Sequence, residues 1–162
     1  MKRRLALAVL PVAVALAAAG CGTGGSSGTT GPAAARPATA STAATLATGH
    51  TKLGTVLVDG KGRTLYLFEK DKDAMSSCYG ACASIWPPLT SAKRAVAGGL
   101  SAAKIGTTKR TDGTSEVTYA GHPLYTYAGD GKPGQAQGQG LDQFGAEWYV
   151  LAPSGQKIDN DS

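Results

Sequence analysis

Cys78 and Cys82, with three residues between them, are the sharpest chemical feature of the chain. If that segment is helical, positions i and i+4 share a face and the sulfurs lie within bridging reach. A disulfide is the default for such a pair in an oxidising compartment, and so small a ring contributes roughly 2 kcal/mol through loop entropy. The rival chemistry is a soft-metal or redox site, in which Cys78, Cys82, Met75 and His122 supply the donors that copper prefers. Conventional hydrolysis is poorly provided for. The two histidines are His50 and His122, the latter in a turn beside Pro123, and no Ser/His/Asp set or glycosidase-like carboxylate pair stands out. Asp71-x-Asp73 begins like a calcium loop but lacks the later ligands. The Gly-rich run 129–140 lacks the Gly-Lys-Ser/Thr ending of a phosphate loop and reads as a long exposed loop. The chain is therefore read as a non-catalytic binding or structural module without a resident cofactor, the alternative being an extracytoplasmic redox or copper-handling protein that uses Cys78 and Cys82.

The elements that must position these groups come as a repeat. Residues 54–71 and 113–130 align without a gap at an offset of 59, with Gly54/Gly113, Val58/Val117, Leu65/Leu124, Tyr66/Tyr125 and Asp71/Asp130 coinciding. Phe68 matches Tyr127, so each copy ends Tyr-x-aromatic-x-x-Asp. Each is followed by a Trp, Trp86 or Trp148, and a Leu three residues on. Short apolar runs alternate with period two around turn signals at Asp59–Gly62 and Ala120–Pro123, which predicts β-hairpins and an all-β domain. Leu100–Ile105 reads as a short helix or turn between the copies. In an extended strand Tyr66 and Asp71 would stand about 16 Å apart on opposite faces. The carboxylates of Asp71 and Asp130 are therefore expected to cap turns past the strand ends. Tyr66, Phe68, Tyr125 and Tyr127 are expected to pack on Trp86 and Trp148. The functional alternative is a ligand cleft, formed where pairing of the copies brings the aromatic face and both carboxylates together.

Length and composition place this domain in a larger design. The chain has 162 residues and a formal charge of +5, but three of its 16 cations are Lys2, Arg3 and Arg4. The remaining charges are nearly balanced and interspersed, which gives no basic face for nucleic acid. Residues 1–20 combine that basic start with an apolar run, the pattern of a secretory signal rather than a membrane span. Leu16-Ala-Ala-Ala-Gly-Cys21 resembles the lipobox of bacterial lipoproteins, which implies a diacylglycerol-modified Cys21 and a membrane anchor. Residues 21–50 are rich in Gly, Ser, Thr, Ala and Pro and read as a flexible linker, with a root-mean-square reach of roughly 30 Å. The folded domain is expected over 51–155, with repeat one about 52–90, repeat two about 105–153, and a tail at 156–162.

Together the tandem Tyr-x-aromatic-x-x-Asp copies, Cys78-x-x-x-Cys82 before Trp86-Pro87-Pro88-Leu89, Arg110-x-Asp112-Gly113-Thr114 and Phe144-Gly145-x-x-Trp148-Tyr149 resemble a family of bacterial secreted-repeat lipoproteins. That family is named for its Tyr-x4-Asp motif, and its biochemical function is unsettled. The resemblance covers residues 52–155. It implies an envelope location and a two-repeat β domain, and it implies no activity. The domain is expected on the extracytoplasmic face of the cell membrane, with an unknown envelope protein or small ligand as partner. Ala120 departs from the Asn common there before Gly121, so the second hairpin turn is expected to be of a different type.

Overall fold

A computed structural model describes residues 43–159 except Ala92 and Arg94. The signal segment, Cys21 and the linker as far as residue 42 lie outside the described residues.

The first strand is one that the sequence reading misses. β1 (Thr45–Thr51) is Thr-Leu-Ala-Thr-Gly-His-Thr, too polar and small to read as a strand alone. It pairs along the whole of β2 (Gly54–Asp59), from Leu46 opposite Asp59 to Thr51 opposite Gly54. Leu46 is fully buried, so the linker boundary expected at residue 50 is corrected to lie before Thr45. Gly49 is needed where it stands, because a Cβ there would meet Val58 Cγ1 at 2.6 Å.

A turn organised by the Asp59 side chain, which accepts from the Lys61 and Arg63 N–H groups, leads into β3 (Tyr66–Phe68). A short helix, α1 (Ala81–Ile85), and the two-residue β4 (Val96–Ala97) follow, β4 lying parallel to β1. A 3₁₀ turn at Ala102–Lys104, near the place expected, opens the second copy. β5 (Ile105–Lys109), again absent from the sequence reading, pairs antiparallel with β6 (Ser115–Tyr119), and β6 with β7 (His122–Pro123). β8 (Leu141–Gln143) and β9 (Ala146–Val150) form the last hairpin. The strands make three three-stranded sheets, ordered β2-β1-β4, β3-β9-β8 and β5-β6-β7, so the domain is all-β with one short helix.

The two copies are antiparallel partners. Tyr66 and Tyr125 exchange both backbone hydrogen bonds, at 2.9 and 3.0 Å, so a local pseudo-twofold axis passes between them. Each copy is completed by the chain that follows the other. Leu151, after copy two, bonds Leu57 and Leu65 of copy one; Leu89, after copy one, bonds Val117 and Leu124 of copy two. Strand alternation then sorts the core into two clusters. Leu65, Leu67, Leu124 and Leu151 join Leu46, Leu57, Ile105 and Val117 in a mainly aliphatic one that also holds Tyr119 and Tyr149. Tyr66, Phe68, Tyr125, Trp86 and Trp148 form an aromatic one with Val56, Val58 and both cysteines.

Three further expectations change. Ala120 and Gly121 both have left-handed φ, +51° and +87°, so the turn keeps the conformation that favours Asn-Gly, and Ala120 bears its strain. The Gly-rich loop is not simply exposed: Ala136 and Gly138 are buried, and a Cβ on Gly138 would lie 2.6 Å from the Trp86 ring. Part of the expected tail is also built in, since Ile158 N–H bonds Val150 C=O at 2.8 Å.

Candidate functional site

Each motif tyrosine meets the aspartate of the other copy. The Tyr66 hydroxyl donates to Asp130 Oδ2 at 2.6 Å, and the Tyr125 hydroxyl donates to Asp71 Oδ2 at 2.8 Å. The pairing follows from topology: Tyr66 and Tyr125 face each other across the pseudo-twofold, and the chain turns just past each strand to bring its Asp back over the opposite ring. The remaining carboxylate oxygens accept backbone N–H groups six and seven residues on, so they close longer loops rather than the Asx-type turns expected just past the strands. Asp71 Oδ1 accepts from the Ser77 N–H and hydroxyl at 2.8 and 2.7 Å, and Asp130 Oδ1 accepts from the Gln137 N–H at 2.9 Å.

The two pairs differ in what surrounds them. Around Tyr66 and Asp130 the partners are backbone groups of the Gly-rich loop, including Gly138 N–H at 3.3 Å from the Tyr66 oxygen. Around Tyr125 and Asp71 there is a buried charged network. Since the Tyr125 hydroxyl hydrogen points to Asp71, the Ser76 hydroxyl donates to Tyr125 at 2.7 Å and accepts from Arg110 Nη1 at 2.5 Å. Arg110 also bonds Glu116 Oε2 and the Cys78 carbonyl, both at 2.7 Å, bonds Asp112, and lies over the Tyr79 ring.

Burial sets the protonation states here. It pushes both phenols far above their usual range, and the bond to Asp130 adds to this for Tyr66, as the Glu116 and Asp71 charges do for Tyr125. Burial also raises Asp71 against the opposing pull of Ser77, Tyr125 and Arg110. Glu116 is wholly enclosed, and its Oε1 has no hydrogen-bond partner among the described residues. Desolvation lifts it to about 7 despite Arg110. Asp112, exposed and bonded by Thr114, is instead lowered to about 2.

A cleft of about 350 Å³ opens beside this network, with Phe68 and Leu67 in its lining and Asp71, His122, Glu69 and Lys157 among its polar walls. His122 is half-buried, and that burial lowers its pKa. The alternative of a cleft using both motif carboxylates is met for one of them. Asp71 lines it, whereas Asp130 lies under the Gly-rich loop.

Cys78 and Cys82 form a disulfide with Cα atoms 5.3 Å apart, buried in the aromatic cluster before Trp86. With the sulfurs joined, neither is a thiolate. Met75, proposed with them as a soft donor, is exposed, and His122 is placed in the cleft. No group of three His, Cys, Asp or Glu residues poised for a metal occurs among the described residues.

Sequence reasoning misses Ser76, Glu116 and the role of Arg110. One signal was available: at the repeat offset Glu116 aligns with the core residue Leu57, so a charge occupies an apolar strand position. No helix of the described residues is long and apolar enough to cross a membrane.

No curated protein and no solved structure matches the chain. A family model for a secreted repeat of unknown function matches twice, over residues 47–90 and 106–152, together more than half of the chain. These matched segments are the two copies joined by the crossed Tyr–Asp pairs, and the chain belongs to this family of secreted repeats.

Proposed function

We propose that this protein is a lipid-anchored component of the cell envelope whose β domain is a non-catalytic binding module, held off the membrane by the linker. The observation that supports this reading is that the motif's chemical groups are used internally. Both tyrosine hydroxyls and both aspartates are bonded across the copies, so these four motif residues do not form a free acid, base and nucleophile set. The charged cleft beside Asp71 and His122 is open to solvent and of a size for a small polar ligand or an exposed side chain of an envelope protein. Anchoring rests on Cys21 and the apolar run before it.

Two measurements test the two halves of this reading. Wild-type protein should partition into the detergent phase, and Cys21→Ser should be exported yet remain in the aqueous phase. A Cys21→Ser protein that stays in detergent refutes the anchor. A melting-temperature screen against small envelope-derived zwitterions and saccharides should yield a ligand whose stabilisation is lost in His122→Ala. Stabilisation unaffected by that change places binding elsewhere.

A further inference from the structure

The crossed pairs flank an uninterrupted stack of rings. Trp86 and Trp148 are parallel within 4°, with centroids 3.9 Å apart. Phe68 stacks on Trp148 at 4.0 Å, and Tyr127 lies against Trp86 at 4.4 Å. Both indoles are fully buried, while Tyr127 is half-buried and brings the stack to the surface. The motif tyrosines meet the indoles edge-on, Tyr66 at 5.3 Å from Trp86 and Tyr125 at 5.1 Å from Trp148.

Packing alone does not require this polar chemistry. Phenylalanine at 66 and 125 would fill nearly the same volume without burying the Asp130 carboxylate and partly burying that of Asp71, whose desolvation opposes folding. Phenol and indole are, however, among the side chains most easily oxidised by one electron. An oxidised phenol is a strong acid and is stable only if a base in contact takes its proton. Asp130 Oδ2, 2.6 Å from the Tyr66 oxygen, is such a base. The phenol loses its proton unaided only with difficulty in this buried setting, so electron and proton leave together.

We propose that the domain is a one-electron relay in which an outer-sphere oxidant at the exposed edge of Tyr127 draws an electron through Trp86 from Tyr66, whose proton passes to Asp130. The oxidant, of the oxidised-metal-complex or peroxyl-radical class, gains one electron. Tyr66 becomes a neutral phenoxyl, Asp130 becomes a carboxylic acid, and the Tyr66 O–H bond is exchanged for a carboxyl O–H bond. A soluble one-electron donor of the enediol class returns the electron, and the proton moves back. Tyr125 and Asp71 repeat the arrangement beside Trp148, but where the Tyr66 oxygen accepts only the long bond of the neutral Gly138 N–H, at 3.3 Å, the Tyr125 oxygen accepts the Ser76 hydroxyl at 2.7 Å with the Arg110 cation behind it, which disfavours loss of an electron there. Tyr66 is therefore where the relay ends.

The test is photogenerated tris(bipyridine)ruthenium(III) acting on the full chain, followed by transient absorption and electron paramagnetic resonance. A phenoxyl radical should form and be lost in Tyr66→Phe. Trp86→Phe, which keeps a ring in the stack, should slow its appearance at least about tenfold, as should Asp130→Asn. The fold of each variant is checked by near-ultraviolet dichroism. Should Asp130→Asn not fold, a slower rate for wild type in heavy water reads the coupled proton instead. A radical confined to Tyr79 or Tyr149, or a Tyr66 radical whose rate is indifferent to Trp86→Phe and to heavy water, overturns the proposal.

Discussion

A phenol donating to a carboxylate is a charge-assisted hydrogen bond, and here each such bond joins residues 54 or more positions apart in sequence. Bonds of this kind contribute about 1.5–3 kcal/mol each. Double-mutant cycles separate the crossed arrangement from one within a single motif. Tyr66→Phe with Asp130→Asn should show coupling of about 1–2 kcal/mol in chemical denaturation, while Tyr66→Phe with Asp71→Asn should be additive within about 0.5 kcal/mol. Coupling within one motif instead would mean the copies pair differently in solution. Glu116 carries a second prediction at this scale. Its folded pKa of about 7 lies above the ordinary carboxylate value, so between those values the folded state holds a proton that the unfolded state has lost. Stability should therefore be greatest below about pH 4.5 as far as this group is concerned, and fall as pH rises to about 7, by on the order of 2–3 kcal/mol. Glu116→Gln should flatten that slope in denaturation curves taken across the window. An unchanged slope assigns it to Asp71, which is raised by burial in the same network.

At the scale of elements, the glycines that permit close approach decide more than the apolar residues around them. The Gly-rich loop carries Gln137, which caps Asp130, and Gly138, which lies against Trp86 and Tyr66. Gly138→Ala should force the loop off the Trp86 ring, cost about 1–3 kcal/mol, and change the indole fluorescence. Gly121→Ala is the control. Its Cβ would meet nothing within 4 Å, so its loss, about 1 kcal/mol, reports the left-handed φ alone and should leave the fluorescence unchanged. If both variants behave alike, the loop does not bear on Trp86.

For the whole molecule, the exchange of Leu89 and Leu151 between copies has a direct consequence. Copy one lacks β9, and copy two lacks the segment around Leu89, whenever either is taken alone. Each half would then expose unpaired strand edges and half of the Trp86–Trp148 stack. Residues 43–100 and 101–159 expressed separately should therefore give no cooperative melting transition, and mixing them should restore one. A cooperative transition in either half alone would show that the repeats are autonomous.

The repeat, the all-β character, the positions of the two turns, the packing of the motif aromatics on the two tryptophans and the pairing of Cys78 with Cys82 were legible in the residues themselves. Each rests on local pattern: period-two alternation, turn chemistry, or short separation along the chain. β1 and β5 were not legible, because Thr, Gly and Ala make a strand only when a partner such as β2 or β6 supplies the pairing and the apolar cover. Nor did one motif reveal which Asp its Tyr would meet. Extended geometry separates Tyr66 from Asp71, and only the antiparallel meeting of Tyr66 with Tyr125 brings Asp130 to one ring and Asp71 to the other. The buried Arg110–Glu116 pair likewise depends on tertiary structure, since Ser76, Cys78 and Tyr79 come from a different repeat. Sequence determined which groups were available and which faces they occupied; the pseudo-twofold pairing of the two copies decided which of them touch.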